Sequence, residues 1–598
     1  VKDAFTARGA GRDAKAPSER RKRIKRVTVF KFPLAEAALV KETSGSDLAA
    51  DAARWHLESF EPDAARSVSK KAYVTDCGIP IRPLYTPADL EAIGFDYKRD
   101  LGFPGEFPYT RGDRGAMNRG EPFVISAYSG FGEAGVCNQR FRTLVDWGVE
   151  QILVALDLPT QCGYDSDHAM ATAEVGQVGV AVSSLADMEL MFKDIPLSSI
   201  KRVGTLGNSI GPIVLSLFAA LGEKQGIPWS DYTVNLQNDP LKEYIARGTQ
   251  ILPVEPAAKL ACDAVEWCID NAPNWSPITV CVNHINAGGA GSSIGTAIAL
   301  ANAQYYIEEL IARGHSIDEI APLIHMFADE RHDFFVVIAN LRALRRIWAR
   351  RMRERYGATR GAAMALRTTI YGHGQESLQE PLNNITRIGF GTLAYVLGGA
   401  SYCYIASYDE AVSTPGENSL RVALRTQQII ANEHGFSDTI DPLAGSYYVE
   451  TLTHQVEKQI LDALEMIEQK GGALAVIKDG IGRRLITEGA VRRQKAIDGG
   501  RRPWVTVNMW PQKPDVAGTA FRIDPASADA QVARLKQVRA TRDDARVQRT
   551  LAAVRKASQS GANVTPSVLE AVRAYATVGE IVDIWRDLFG HFTPSTEF

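Results

Sequence analysis

Cysteine is sparse and without pattern: the seven, at positions 77, 137, 162, 262, 268, 281 and 403, form no C-x-x-C pair and keep no regular spacing with histidine. That argues against a zinc cluster or a disulfide framework as the organising device, and it makes a reducing cytoplasm the expected compartment. No metal site is expected in this chain. Long apolar runs are missing as well; none reaches the 18 or so residues that a membrane-spanning helix needs, and the polar N-terminus does not read as a signal peptide. Excess charge of one sign is also absent. A net charge of −3 with a pI near 6.4 gives no field that would gather nucleic acid or an anionic membrane, so partners must be argued from sites. The chain opens at Val1 rather than methionine, which reads as trimming or an incomplete start.

What is present is the composition of a large globular protein, 598 residues that are 45% hydrophobic and 23% charged, long enough for two or three domains. Residues 1–70 are polar and alanine-rich, with a basic cluster at Arg20, Arg21, Lys22, Arg23, Lys25 and Arg26; they read as a partner-contacting arm. From 71 to 410, after a Pro- and Gly-rich approach, short apolar runs alternate with amphipathic helical stretches. The strand candidates are FVISAY (123–128), ILVALDLP (152–159), VGVAVS (178–183), RVGTLGN (202–208), YTVNLQN (232–238), ITVCVNH (278–284), LIHMFA (323–328) and YCYIAS (402–407). That alternation predicts a (β/α)8 barrel, with an open doubly wound sheet as the alternative. A helical continuation over 411–515 and a C-terminal helical region over 516–598 follow, with linkers expected at 503–514 and 518–525.

Two stretches are organised alike, EQILVALDLPTQCGYDSDHAMATAEVGQVGVAV (150–182) and NLQNDPLKEYIAR (235–247). Each runs strand, polar loop, helix, and in such a barrel the loops after the strands share one mouth where catalytic residues collect. Asp157, Asp165, Asp167 and His168 suggest a metal by their crowding, but the spacing matches no standard site and helix capping is the better reading. Arg247, on the helical run after QND, is a natural fork for a carboxylate or phosphate near a mouth. His284 closes a strand, either as a core imidazole or as a donor to a substrate carbonyl. GSSIG has the G-x-S-x-G form at Ser293, but glycine and alanine precede it where a nucleophile elbow needs a strand.

Taken together, FPGEFPYTRG, AYSGFG, LDLPTQCGYDSDH, QNDPLKEYIARGT, NHI, LRTQQIIANEHG, DPLAGSYYVE and ATVGE resemble the large subunit of the adenosylcobalamin-dependent acyl-CoA mutases, the methylmalonyl-CoA mutase family, over roughly residues 70 to 590. The resemblance implies a radical rearrangement of an acyl-CoA carbon skeleton inside the barrel, with the cofactor held against one mouth. It implies that Tyr128 wedges toward the adenosyl group, Gln237 donates near the thioester, Arg247 pairs with a free carboxylate and His284 hydrogen-bonds the thioester carbonyl. Substrate and CoA positions fall further on Arg114, Met117, Val124, Ser126 and His325. Cofactor positions fall on Leu156, Leu158, Gln161, Val178, Ala246, Ala287, Gln379, Glu410 and Ala411.

The departures carry information of their own. The family's Asp-x-His-x-x-Gly loop, whose histidine ligates cobalt, does not occur in these residues. The expectation is therefore a separate cobalamin-binding small subunit, in a heterotetramer of two large and two small subunits, with a G-protein chaperone as a further partner. Glu121 and Leu323 stand where the family's arginines meet CoA phosphates, Arg114 where an aromatic is usual, and His325 where a serine is usual. Arg114, Arg119 or the basic N-terminal cluster is then expected to neutralise the phosphates. Ala287 replaces an acid, and ASYCYIAS (400–407), with Tyr402 and Tyr404, replaces a polar, histidine-containing segment, which points to a bulkier acyl group, while the resemblance at both Tyr128 and Arg247 implies a carboxylated one; the expectation is a branched acyl group that is carboxylated or bulky. Two other functions compete: a non-catalytic paralogue that binds only the small subunit or a chaperone, and a hydrolase at Ser293.

Overall fold

Eight short strands are buried along nearly their whole length, as strands covered on both faces must be. In the computed structural model, which describes residues 47–65, 73–121, 123–328, 333–372, 376–514 and 522–593, they are β1 (Val124–Ser129), β2 (Gln151–Val154), β3 (Arg202–Leu206), β4 (Val234–Gln237), β5 (Ile278–Cys281), β6 (Ile324–Phe327), β7 (Arg367–Gly372) and β8 (Tyr402–Ile405). All pair in parallel, in the order β4-β3-β2-β1-β8-β7-β6-β5. Residue 235 bridges to Ser276 just ahead of β5, with Leu236 N–H donating to the Ser276 carbonyl at 2.9 Å and Ser276 N–H to the Val234 carbonyl at 2.8 Å. This joins the two ends of the sheet into the barrel that the alternation predicts.

Two strand assignments change. RTTIYG supplies β7, although its leading arginine and paired threonines hide it among polar text. VGVAVS is not a barrel strand. Val180 instead forms isolated bridges to Gly132 and Leu156, so this segment lies across the C-terminal ends of β1 and β2. The approach is close enough that a Cβ on Gly179 would sit 2.2 Å from the Leu156 carbonyl carbon.

Helices surround the barrel, including Gly211–Lys224, Ser292–Ala312 and Phe334–Glu354. After β8 the chain is helical, with Glu417–Asn432, Tyr447–Gln469 and Ile481–Asp498, and after the undescribed residues 515–521 with Ala526–Thr541, Asp544–Ser560, Thr565–Arg573 and Val578–Phe589. The chain divides into two compact units, 1–68 and 69–598. In the first, the described residues form a helix, Asp47–Trp55, running into a wider turn, His56–Phe60, where the His56 and Phe60 rings stack at 5.2 Å. The basic cluster at 20–26 lies outside the described residues. No helix among the described residues is long and apolar enough to cross a membrane.

Stretches far apart in sequence meet in space. Arg111 of FPYTRG pairs with Asp441 of DPLAGSYYVE at 3.2 Å. Gln427 of LRTQQ accepts from Ser126 N–H and donates to its carbonyl, at 3.1 and 3.0 Å, extending the ladder where β1 has run past β8. Asp165 of DSDH accepts from Thr577 Oγ1 at 2.5 Å and from Gly579 N–H at 2.8 Å, both in ATVGE. A Cβ on Gly579 would lie 2.8 Å from that carboxylate, so the contact requires glycine.

Candidate active site

Tyr128, Gln237 and His284 stand at or just beyond the C-terminal ends of β1, β4 and β5, on the face where barrels carry their chemistry. Arg247 follows the short turn Leu241–Tyr244 after β4. Alternation along the strands turns Leu153, Leu206, Cys281, Phe327 and Tyr404 to one interior cluster, against which Tyr128 and Tyr371 pack. A row of rings then crosses the mouth: His284 to Phe327 at 6.3 Å, Phe327 to Tyr404 at 5.7 Å, Tyr404 to Tyr371 at 5.1 Å and Tyr371 to Tyr128 at 5.8 Å. Tyr371 also donates its hydroxyl to Glu410.

Opposite the aromatic wall lies a buried polar set. Lys242 Nζ donates to Gln237 Oε1 at 3.0 Å and to Glu243 at 2.6 Å, and Asn208 donates to the same Gln237 oxygen at 3.2 Å. Because an ammonium only donates, the Gln237 oxygen is committed, and its N–H2 is what the residue can offer a ligand. Glu243 also holds Arg247 Nη1 at 3.4 Å and accepts from Thr249 N–H at 3.0 Å. Burial alone would push the Glu243 carboxyl up, but Lys242 and Arg247 outweigh it and keep the group below its ordinary range. Burial likewise pushes the Tyr128 phenol up to about 12, with Glu410 adding and Arg247 opposing. Tyr128 is therefore a neutral phenol at pH 7 that feels both charges.

The remaining expected residues fall into two groups. The first belongs to the mouth: Leu158 and Val178 are 37% and 53% exposed, Ala287 and Ala411 are exposed, Leu156 is buried, and Ala246 and Gln379 are half-buried. Gln161 donates to the Leu156 carbonyl at 2.6 Å, while its buried Oε1 has no hydrogen-bond partner among the described residues. An apolar rim of small side chains with an unsatisfied amide oxygen suits a broad, flat ring edged with amides, so these residues fit a corrin.

The second group lies at the opposite end of the barrel. Val124 and Ser126 are on β1, and Ser126 Oγ lies 3.2 Å from Gln151 Oε1. Arg114 is half-buried, and Met117 is buried beside Gly112 and Gly399. His325 is fully buried, with Nδ1 3.0 Å from Arg202 Nη2 and Nε2 3.0 Å from Ser276 Oγ. Leu323 is buried and apolar, while Glu121 is exposed and paired with Lys201 at 2.6 Å.

The acidic loop after β2 is structural in every bond it makes. Asp157 caps a helix through Thr160 N–H at 3.0 Å, His168 Nδ1 accepts from Met170 N–H at 3.1 Å, and Asp165 and Asp167 pair with Arg539. Among the described residues, no group of three or more His, Cys, Asp or Glu side chains could hold a metal. Ser293 opens a helix and donates to Gln459 at 2.9 Å. Sequence reading did not single out Lys242, Glu243, Asn208, Phe327 or Tyr371; the LKE of QNDPLKEYIAR was the one available signal.

Fold and site together define a barrel enzyme whose mouth combines an aromatic wall with amide, imidazole and guanidinium groups. The family model for methylmalonyl-CoA mutase matches residues 74–591, and the chain belongs to that family, whose members are cobalamin-dependent isomerases that rearrange acyl-CoA. Relatives include the 2-hydroxyisobutanoyl-CoA mutase large subunit of Aquincola tertiaricarbonis, 36% identical over 88% of this chain and 94% of that protein. The methylmalonyl-CoA mutase of Rhizobium meliloti is 36% identical over 87% of this chain and 73% of its own length. The mitochondrial methylmalonyl-CoA mutase of Homo sapiens is 33% identical over 92% and 74%.

Proposed function

We propose that this chain is the substrate-binding large subunit of an adenosylcobalamin-dependent mutase that moves the thioester-bearing carbon of a branched acyl-CoA, carboxylated or bulky, to the neighbouring carbon. The observation that carries the reading is the gathering of Tyr128, Gln237, Arg247 and His284 round one mouth. Radical chemistry is what an adenosylcobalamin bound there would supply. Leu156, Leu158, Gln161, Val178, Ala246, Ala287, Gln379, Glu410 and Ala411 are the residues that would hold it, together with a cobalamin-bearing small subunit in a heterotetramer; a G-protein chaperone is a further proposed partner.

The chain's own part is binding and shielding. Gln237 N–H2 and His284 donate to the thioester carbonyl and stabilise charge that builds on it. Arg247, steadied by Glu243, turns its remaining N–H groups to an acyl carboxylate or hydroxyl. The wall of Tyr128, Tyr371, Tyr404 and Phe327 excludes water from a reactive carbon. The name of the Aquincola relative makes a hydroxylated branched acyl group one member of the panel to test. Mass spectrometry of acyl-CoAs after incubation with a cobalamin-carrying small subunit and cofactor should show an isomer of one of them. No isomer and no paramagnetic signal across the panel would favour the second reading, a non-catalytic subunit, which draws on the closed barrel floor around His325.

A further inference from the structure

The side chains of Lys242 and Glu243, in the turn after β4, are 0% exposed. Burying an ammonium is costly unless its protons find acceptors, and two carboxylates stand near this one. Glu243 takes one proton at 2.6 Å. Asp239 is the other: burial raises its carboxyl, and Lys242 leads the groups that oppose the rise. Yet the second hydrogen bond of Lys242 goes to a neutral oxygen, Gln237 Oε1 at 3.0 Å. Asp239 is occupied by the Tyr306 hydroxyl at 2.8 Å and by Cys281 N–H at 3.0 Å. Asn208 donates to the same Gln237 oxygen at 3.2 Å and accepts from Asp239 N–H at 3.0 Å. The chain beyond β3, the turn after β4 and the end of β5 are thereby bound together, and β5 runs directly on toward His284.

Gln237 is 3% exposed and lines a small void inside the barrel with Leu153, Phe327 and Tyr404. With two donors on its oxygen, N–H2 is the group it offers a ligand. A neutral donor such as Asn208 orients the amide equally well. A cation does more: positive charge at an amide oxygen draws electron density from the nitrogen and strengthens N–H2 as a donor, and a low dielectric enlarges the effect.

We propose that Lys242 is a positioning residue that acts on the ligand through Gln237, fixing the amide with N–H2 as its free donor and strengthening that donor toward the carbonyl it meets. The assignment rests on the acyl-CoA reading for the identity of that carbonyl as a thioester, but not for the polarised amide. Charge on the thioester oxygen grows as the acyl group moves, so the contribution belongs to turnover more than to ground-state binding.

Infrared spectroscopy of the full chain with carbonyl-13C acetyl-CoA reads the effect. The share of the carbonyl displacement due to Gln237 is the part lost in Gln237→Leu. Two variants should lose most of that share: Lys242→Gln, which keeps a neutral donor, and Lys242→Met/Glu243→Gln, which removes both charges together. Neither should lose more when residue 237 is already leucine. An undiminished displacement in either folded variant overturns the proposal, because a purely structural lysine alters melting and not the carbonyl. A further loss in the Gln237→Leu background overturns it too. The wild type supplies a test that needs neither ligand nor lysine variant: the 15N resonance of the Gln237 side-chain amide, assigned by its absence from Gln237→Leu, should lie downfield of the other glutamine side chains. A position among them overturns the proposal. A downfield amide in a chain whose bound acetyl-CoA carbonyl is undisplaced would keep the polarised amide and remove the acyl-CoA reading instead.

Discussion

Arg247 and His284 make different demands on the same ligand, and their substitutions should separate cleanly. Removing Arg247 leaves Glu243 with Lys242 and Thr249 N–H, and an acyl carboxylate with no partner. Arg247→Ala should therefore weaken a carboxylated acyl-CoA by about 3–5 kcal/mol, the cost of breaking a buried pair, and barely change a neutral one, read as the ratio of kcat/KM between the two substrates. His284→Ala should lower kcat roughly a hundredfold or more, as loss of an oxyanion-type donor does, with equal turnover removing His284 from the chemistry. His325 bears on stability through its charge. Its folded pKa lies well below 6.5, so below that pH the unfolded chain binds a proton that the folded chain does not. Stability should thus be full above pH 6.5 and fall as pH drops from there. His325→Gln should flatten that slope in urea titrations at pH 7 and 5.5, and an unaltered slope would show that another group sets it.

At the scale of elements, the helix Phe334–Glu354 shows where the pattern in the sequence misleads. Arginines on an amphipathic helix ordinarily form its solvated face, yet Arg342 is 1% exposed, bonded to both Asp441 oxygens at 2.7 and 2.6 Å and to Glu450 at 2.5 Å, while Arg346 grips Glu457. These bonds fasten the helix to Tyr447–Gln469. Arg342→Ala should destabilise the fold by about 3–5 kcal/mol because buried Glu450 loses its cation and Asp441 is left with Arg111 alone, and an unchanged urea midpoint would contradict that. The eight-strand alternation was legible because strands covered on both faces are written as apolar runs. β7 was not, since its Thr368 and Thr369 are buried polar residues in a strand that a periodicity argument scores as loop. VGVAVS was read as a barrel strand for the converse reason: an apolar run declares burial, and its place across the ends of β1 and β2 is set by tertiary contacts.

For the whole molecule, the C-terminal helices do more than extend the chain. Thr577 and Gly579 hold Asp165, Arg534 pairs with Glu133 and Asp187 at 2.8 Å each, and Arg586 donates to the Cys162 and Gly163 carbonyls. The loop that carries Leu158, Gln161 and Val178 is thus pinned from residues some 400 positions later. Of the proposed site, Tyr128, Gln237, Arg247 and His284 were named through family resemblance. The Lys242–Glu243 pair that orients two of them was not, because a Lys-Glu step in a sequence is ordinarily a solvated pair.

The central claim is that Gln237 and His284 point their donors at one thioester carbonyl. It can be measured without the cofactor or a small subunit, by infrared spectroscopy of a 13C-carbonyl acyl-CoA bound to the chain. The account predicts a carbonyl stretch displaced to lower frequency than in water-free solvent, with Gln237→Leu and His284→Ala each recovering part of the displacement. A bound carbonyl at its free frequency, indifferent to both substitutions, would contradict it.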